Sequence, residues 1–489
     1  MFTRWDAARL RRALIALGIA AAVASCSSPT AVAVPTITPA PSPAPSPTPG
    51  ATATVENQPI PGGPVLLRAD MSLRKLIETG GGAAKLALNP ADGKLYYLMP
   101  SNGVFRVDAS ASASPTSTHV VLSDTLPGAS EGLAFGQDGT MYVVSNEAAN
   151  HKTHATVRRG KPDGSGGYTW SVLAQTAPYP LAENNFDHLW NGITLSPDGK
   201  YVFVNAGSRT DHGEVEDAGL RFTDTRDVAL TARIFRLPAD AADLQLPNDE
   251  AALAPLGVVY ARGTRNAYDL AFAPNGDLFA IDNGPDADYP DELNWIRQGL
   301  NYGFPWRFGL ADNPQQFPDY NPLNDKYLNN DFVAVQRGTY KNDPSFPKAP
   351  GALTDPVVNL GPAAAQYRAA DGTQHDAAAE GKTLNTFTPH RSPLGLVFAT
   401  DPKLPADLRG DSNSLSVFLS SFGAAGGSLT DKGQDLLHLV LTKNGDNYQA
   451  VTTQIARGFQ NPVAAVLIEN RLYLLEFGAQ GAIWEITFK

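Results

Sequence analysis

The sequence predicts an all-β protein, a six-bladed β-propeller, from two features of its pattern. A hairpin made of an apolar strand, a turn with Asp or Asn before Gly, and an aromatic-rich strand recurs along the chain in six copies. Apolar residues at helical spacing are nearly absent, and only residues 72–79 and 291–298 are predicted to form short helices. Repeated hairpins of this kind are typical of blades arranged around a central axis.

The six copies differ in how closely they keep the hairpin pattern. They occupy residues 86–98, 132–144, 192–204, 269–281, 395–420 and 464–476. The fifth is interrupted by an insertion after residue 402, and the sixth has Glu469-Asn470 at the turn in place of Asp-Gly. Further apolar strands complete blades of about 70 residues each, at 232–237, 436–441 and 483–488.

Two other architectures explain part of this pattern. A seven-bladed propeller would require a blade within the long segment 307–393, and a pair of β-sandwiches would not require six similar turns. Six blades account for the repeat more directly. Residues 308–381 are rich in Asn, Asp and Pro and weak in strand pattern, so they are predicted to be a long insertion on the loop face.

The N-terminal residues 1–25 are predicted to be a lipoprotein signal peptide. Four arginines precede an apolar run at 13–24, which is too short to span a bilayer. The run ends in Val-Ala-Ser before Cys26, which resembles the bacterial lipoprotein signal; an ordinary secretory signal with an incidental cysteine is the alternative. Cys26 is the only cysteine, so no internal disulfide can form, and its position favours a lipid anchor.

Residues 26–63 form a predicted linker between the lipidated cysteine and the propeller domain at 64–489. The linker is rich in Pro, Ser, Thr and Ala, a composition typical of an extended polyproline II spacer. Removal of residues 1–25 takes away four arginines and one aspartate, so the net charge changes from −11 to −14. An acidic domain without a basic patch argues against nucleic-acid binding and leaves the lipid anchor as the expected contact with an extracytoplasmic membrane surface.

An acidic loop follows the fourth hairpin. Asp282, Asp286, Asp288, Asp291 and Glu292 lie within eleven residues, and Gly and Pro interrupt the run. Such carboxylates repel one another unless a cation, a polar ligand or buried donors lie among them. A solvated acidic loop is the alternative explanation.

The residues around this loop resemble the glucose/sorbosone dehydrogenases, quinoprotein sugar dehydrogenases that use pyrroloquinoline quinone (PQQ) on a six-bladed β-propeller. The matching residues are Gly263, Arg265, Asn266, 274–276, 283–285, 291–294 and 299–305. The resemblance covers about 420 residues and is closest from 187 to 305. It implies a sugar substrate, PQQ and calcium, with an electron acceptor that the sequence does not identify.

The resemblance also implies roles for individual residues. His188 would take the proton of the sugar hydroxyl, with Asp187 beside it, since an adjacent carboxylate can orient an imidazole; polar surface is the alternative for an Asp-His pair. Arg265 and Asn266 would contact the cofactor. An arginine that ties blade-edge loops together is the alternative there.

Calcium ligands are implied in the same stretch. The carbonyl groups of Gly284 and Pro285 would bind the calcium that orients the quinone, and Glu292 and Tyr302 would bind a structural calcium. The sequence departs from the family elsewhere. Residues 420–423 lack the lysine, and 459–461 the arginines, that contact PQQ carboxylates, so Arg391 is predicted to supply a missing cation. Residues 128–131 stand where a glutamine near the substrate is expected.

The predicted function is that of an extracytoplasmic, lipid-anchored quinoprotein dehydrogenase that oxidises an aldose or a related carbohydrate. A calcium-dependent lactonase on a similar propeller is one alternative, and it would require Glu, Asn and Asp converging on a central metal. A non-catalytic propeller that binds a glycan or a protein is the other. The absent lysine and arginines favour that alternative, whereas Asp187, His188, Arg265 and Asn266 favour the enzyme.

Overall fold

The computed structural model describes residues 62–110, 113–216, 222–423 and 426–489. The predicted signal peptide, Cys26 and nearly all of the linker lie outside these residues. Six mainly antiparallel sheets follow one another along the described chain, and each sheet is one blade, numbered 1 to 6 in chain order. In every blade the inner strand comes first in the sequence of the hairpin. The prediction of an all-β, six-bladed propeller is therefore confirmed.

The strands of the first three blades have the following bounds. Blade 1 contains Lys85–Asn89, Lys94–Met99, Gly103–Ser110 and Ala113–Leu122. Blade 2 contains Ala129–Phe135, Met141–Ala149, Lys152–Pro162 and Tyr168–Thr176, with Tyr179–Pro180 and Leu244–Leu246 added at its side. Blade 3 contains Trp190–Leu195, Tyr201–Ala206, Arg233–Pro238 and Val259–Arg262.

The last three blades are less uniform. Blade 4 contains Asp269–Phe272, Leu278–Asp282 and Glu292–Ile296. Blade 5 contains Pro393–Phe398, Ser414–Ser421, Asp435–Asn444 and Asn447–Arg457, with Val358–Pro362 and Val65–Leu66 paired to its outer strand. Blade 6 contains Pro462–Ile468, Arg471–Glu476, Ala482–Phe488 and Met71–Glu78.

Both predicted helices are wrong, because each segment is a strand. Met71–Glu78 pairs antiparallel with Ala482–Phe488 and so closes the ring between the two ends of the domain. Glu292–Ile296 pairs with Leu278–Asp282 as the third strand of blade 4. In both places a neighbouring strand offers a full row of backbone donors and acceptors, and this pairing outweighs a weak local helical pattern. Among the residues that the structure describes, the α-helices are single turns, at Glu250–Leu253 and Val333–Gln336.

The hydrophobic core lies between neighbouring blades rather than in one central mass. Trp190 lies in the cluster between blades 2 and 3. Its ring is stacked on Phe235 of its own blade with centroids 4.5 Å apart, and its Nε1 donates to the Leu230 carbonyl over 3.0 Å. A buried indole therefore has both its apolar contact and its polar partner. None of the helices in the described ranges has the length and apolar composition that a membrane crossing needs.

The predicted insertion between blades 4 and 5 packs on the loop face. It carries two small hairpins, Arg307–Phe308 with Ala311–Asp312 and Gln366–Arg368 with Gln374–Asp376. An apolar cluster joins it to the loops of blades 2 to 4, through Phe186, Ala287, Tyr289, Phe304, Phe308, Ala334 and Tyr340. The insertion thus packs against the loop before the inner strand of blade 3 and against the acidic loop of blade 4.

Candidate active site on the loop face

His188 precedes the inner strand of blade 3 and is buried, with 4% of its surface exposed. Its Nδ1 lies 3.2 Å from both the carbonyl oxygen and the Oγ of Ser208. A Cβ added at Gly207 would lie 2.4 Å from the His188 Cβ, so a glycine is needed where the next strand passes the histidine. Burial, together with the positive charge of Arg265, lowers the pKa of His188 to about 3, which keeps the imidazole neutral.

Asp187 does not orient the His188 ring, which corrects the expectation from the sequence. Its carboxylate accepts hydrogen bonds from the backbone amides of Ala182 and Glu183 over 2.8 and 2.7 Å. Burial raises the pKa of Asp187 to about 7. The side chains of adjacent residues in extended chain point in different directions, and Asp187 therefore holds the loop that leads to His188.

Arg265 is held in one orientation by its neighbours. Nη2 donates to Oδ1 of Asp211 over 2.7 Å, Nε donates to the Asp211 carbonyl over 2.7 Å, and Nη1 donates to the Asn283 carbonyl over 3.3 Å. The backbone N–H of Arg265 donates to Asp282 over 2.9 Å. Burial opposes the charge of Arg265, but Asp211 and Asp286 raise its pKa, so the guanidinium stays charged.

Asp211 is a site residue that the sequence analysis missed. It is completely buried, and besides Arg265 it accepts hydrogen bonds from the Asp286 amide over 3.0 Å and the Tyr340 hydroxyl over 3.3 Å. Its Oδ2 lies 2.8 Å from Nδ1 of His212. Burial opposes its charge, but Arg265, His212 and the Asp286 amide together outweigh burial and lower the pKa of Asp211 to about 2. Asp211 and His212 form a second Asp-His pair, which follows the second strand of blade 3, and this sequence pattern could have indicated the residue.

Asn266 is joined to His188 through a second residue that the sequence analysis missed, Asn191. The Asn191 Nδ2 donates to the Asn266 Oδ1 over 2.8 Å and to the His188 carbonyl over 3.1 Å. The Asn266 Nδ2 in turn donates to the Asn283 Oδ1 over 3.1 Å. This buried amide network fixes the loops of blades 3 and 4 relative to each other, since each partner would be left unsatisfied by a shift.

Four of the predicted site residues line one small cavity of about 10 Å³: Arg265, Gly284, Glu292 and Tyr302. Asp282 and Asn283 line it too. A space of this size accommodates about one water-sized sphere. Pro285 does not line the cavity, and its carbonyl accepts from the Ala287 amide over 2.8 Å. Of the two residues predicted to bind the quinone-orienting calcium, the cavity lining thus includes Gly284 but not Pro285.

Two acidic residues line this cavity, Asp282 and Glu292. Glu292 accepts from the Gly309 amide over 2.5 Å and from the Asn294 Nδ2 over 2.9 Å. Burial, and after it the charge of Asp282, raises the pKa of Glu292 to about 8, and burial raises the pKa of Asp282 to about 6. The Tyr302 hydroxyl donates its hydrogen to the Trp295 carbonyl over 2.6 Å, so this hydrogen bond links Tyr302 to the third strand of blade 4. Across the described ranges no group of three or more His, Cys, Asp or Glu side chains forms a metal cluster.

Arg391 is not a free cation, because two carboxylates pair with it; that it contacts the cofactor stays a prediction. It is almost completely buried, its Nη2 donates to both carboxylate oxygens of Asp435 over 2.6 Å, and its Nη1 pairs with Asp431. The neighbouring His390 places its Nε2 2.9 Å from Oδ1 of Asp288. Arg391 therefore joins the loop before the first strand of blade 5 to the third strand of the same blade.

Comparison with known proteins identifies the part of the chain that carries the site. Residues 129–319 match the Glucose / Sorbosone dehydrogenase family model. These residues belong to that family. The glucose/sorbosone dehydrogenase segment contains eight of the nine predicted site residues, and Arg391 lies beyond it.

One curated relative resembles a short part of the chain. Quinoprotein glucose dehydrogenase B from Acinetobacter calcoaceticus is 37% identical over 82 residues, which are 17% of this chain and 16% of that protein. The match therefore spans only a small fraction of the relative's length.

Solved structures resemble the whole domain. Soluble aldose sugar dehydrogenase from Escherichia coli, in its apo form, has a TM-score of 0.52 at 15% identity, covering 86% of this chain and 100% of that one. A Trichoderma reesei protein of Carbohydrate-Active Enzymes Family AA12 has a TM-score of 0.54 at 15% identity, covering 88% and 98%. The holo form of the pyranose dehydrogenase PQQ domain from Coprinopsis cinerea has a TM-score of 0.52 at 12% identity, covering 87% and 97%. At these identities the likeness concerns the fold, and it agrees with six blades.

Proposed function

We propose that the protein is a PQQ-dependent dehydrogenase that oxidises an aldose or a related carbohydrate. The observation that carries the proposal is one buried arrangement within residues 129–319: a neutral His188 and a rigidly held, charged Arg265, joined through Asn191 and Asn266. Dehydrogenation of a sugar hydroxyl requires a group that accepts a proton and a fixed electrostatic environment for the oxidant. His188 and Arg265 supply these two requirements.

The residues fit PQQ at its quinone end. The Nη1 of Arg265 has only a long contact, 3.3 Å to the Asn283 carbonyl, and so retains donor capacity for quinone oxygens. Asp211 holds the guanidinium in place before any ligand binds. When bound, PQQ supplies the two-electron oxidant that accepts the hydride from the sugar carbon. His188 takes the hydroxyl proton in the same reaction, and Arg265 orients the quinone.

We also propose that calcium binds at the small cavity near Glu292. Asp282 and Glu292 are buried beside each other with raised pKa values, and a divalent cation would favour their charged forms. Two side-chain carboxylates do not complete a calcium sphere, so backbone carbonyl oxygens would supply further ligands, as calcium accepts. Gly284 lines the cavity, and its carbonyl would be one such group.

The predicted location remains a proposal as well: an extracytoplasmic protein held at the membrane by a lipid on Cys26. What supports it is the sequence pattern of residues 1–26, with four arginines, a short apolar run and the one cysteine. The Pro-rich linker would then place the propeller away from the lipid surface.

The experiment that tests the activity is a substrate screen on the detergent-solubilised full chain. The protein is incubated with PQQ and calcium, aldoses are added singly, and reduction of an artificial electron acceptor is followed. His188→Gln is the control that removes the proton acceptor without removing Arg265. Turnover that depends on PQQ and on His188 supports the proposal. No turnover with any aldose, together with no thermal shift on addition of PQQ and calcium, would favour the non-catalytic propeller.

A further inference from the structure

We propose that Ser208 fixes the proton of the neutral His188 imidazole on Nδ1, so that Nε2 is the atom that accepts the substrate proton. The role of Nε2 rests on the proposed function. The assignment of the proton to Nδ1 does not, because it follows from the contacts of Ser208 alone. Ser208 is in this sense a positioning residue that acts through His188.

The hydrogen-bond directions around Ser208 leave one arrangement. The carbonyl oxygen of Ser208, 3.2 Å from Nδ1 of His188, can only accept. The hydroxyl of Ser208, also 3.2 Å from Nδ1, uses its own proton to donate to the Thr210 carbonyl over 2.8 Å. Both neighbours of Nδ1 therefore present lone pairs to it, and the shared hydrogen must belong to Nδ1.

The ring carries a single proton, since burial and the charge of Arg265 keep His188 neutral. A neutral imidazole protonated at Nδ1 has its lone pair at Nε2. The opposite tautomer would place a lone pair against two acceptors and lose both contacts. The geometry therefore makes Nε2 the basic nitrogen before any substrate binds.

Ser208 itself has little freedom to move. It is completely buried, its amide donates to the Arg265 carbonyl over 2.7 Å, and its carbonyl accepts from the His188 amide over 2.9 Å. The residue thus lies between the proposed proton acceptor and the proposed cofactor contact. A change in the position of Arg265 would be transmitted to the His188 ring through the Ser208 backbone.

The protein contains a matched pair that serves as an internal reference. In blade 5 the Ser416 Oγ donates to the Leu408 carbonyl over 2.8 Å and lies 2.7 Å from Nε2 of His438. The same reasoning puts the proton of His438 on Nε2, the opposite ring nitrogen. Burial lowers the pKa of His438 to about 4, so this ring is neutral too. The protein therefore contains two histidines whose tautomers are set by a neighbouring serine, and the two tautomers are opposite.

The test is long-range proton–nitrogen NMR on the full chain with ¹⁵N-labelled histidine, at neutral pH and without cofactor. The chain has eight histidines, and the signals of interest are assigned from spectra of His188→Gln and His438→Gln. We expect His188 to show the Nδ1–H pattern and His438 the Nε2–H pattern. An Nε2–H pattern for His188, or equal amounts of the two tautomers, would overturn the proposal without any variant of Ser208.

Variants of the two serines then distinguish an effect of the Ser208 hydroxyl on the tautomer from a general effect on the fold. Ser208→Ala removes one of the two acceptors and should shift the His188 tautomer ratio about fivefold, the value of one net hydrogen bond, while Ser208→Thr restores it. Ser416→Ala should change His438 and leave His188 unaffected. An unchanged His188 ratio in Ser208→Ala overturns the role of the hydroxyl. A protein with this tautomer pattern but no sugar oxidation would refute the proposed function and leave the assignment of Ser208 standing.

Discussion

The guanidinium of Arg265 and the carboxylate of Asp211 form a buried ion pair in which Nη2 and Oδ1 are 2.7 Å apart. The pair joins the loop before the inner strand of blade 4 to the loop after the second strand of blade 3. Because Asp211 also accepts from the backbone of Asp286, it ties the acidic loop to the same point. The charge that would face a cofactor is thereby fixed in position by a residue on another blade.

Replacement of Asp211 by Asn should lower the free energy of unfolding by about 3–5 kcal/mol, because it leaves the Arg265 charge buried and unpaired. Urea unfolding followed by fluorescence measures the change. The control is Glu469→Gln, which breaks an exposed pair with Lys403 and should cost less than about 1 kcal/mol. Equal effects of the two substitutions would show that burial of the Arg265 pair has no energetic consequence.

The contribution of Glu292 to the stability of the calcium-free protein should fall as the pH rises from about 4 to about 8. Over this interval the folded state keeps the proton of Glu292, whose pKa is raised to about 8, while the unfolded chain releases it near the ordinary value of about 4.3. Glu292→Gln should flatten part of the slope, and saturating calcium should do the same in the unmodified protein. Unfolding in urea at pH 5 and pH 8, with a chelator present, measures this. Parallel slopes for Glu292→Gln and the unmodified protein would contradict it.

Arg391→Ala should act on stability before it acts on cofactor binding. It leaves Asp435, which is completely buried, without its bidentate partner, at an expected cost of about 3–5 kcal/mol. The double replacement Arg391→Met with Asp435→Leu should recover most of the loss, because it removes the fully buried charge of Asp435, while Asp431 keeps some contact with solvent. Thermal unfolding and PQQ titration are measured together. A stable Arg391→Ala protein that binds PQQ weakly would restore the cofactor role that the sequence suggested.

His188→Gln should lower turnover by roughly 10²–10⁴, since the proton acceptor acts mainly in the transition state. Its affinity for PQQ should change little, because the lost interaction is absent from the ground state. Steady-state kinetics and PQQ titration check the two parts. His390→Gln is the matched control, because the Nε2 of His390 already faces Asp288. Near-normal turnover in His188→Gln with a large loss in His390→Gln would identify His390, and not His188, as the proton acceptor.

Cys26→Ser should release the protein from the membrane fraction into solution, because one acyl-bearing cysteine is the proposed anchor. Fractionation of cells that express either form, followed by immunoblotting, measures the distribution. A Cys26→Ser protein that remains with the membranes would show that the attachment does not depend on this residue.

The candidate site was predictable where its residues are contiguous and unpredictable where partners are distant. His188, Arg265 and Asn266 stand in motifs of a few residues, and the structure joins them in one network. The partner of Arg265 is 54 residues away and that of Arg391 is 44 residues away. No local pattern encodes such pairs, so the sequence predicts neither the ion pairs of Arg391 nor the part that Asp211 plays.

The sequence by itself determined the blades, because a hairpin is a local structure. The turn Pro274-Asn275-Gly276 shows this: Gly276 has φ of +87°, a conformation that favours glycine, and the two flanking apolar strands pair directly. The tertiary structure alone decided that Met71–Glu78 is a strand, since its partner, Ala482–Phe488, lies at the other end of the chain. It likewise decided the charge state of His188 and Glu292. Burial and neighbouring charge set a pKa, and both are properties of the packed fold.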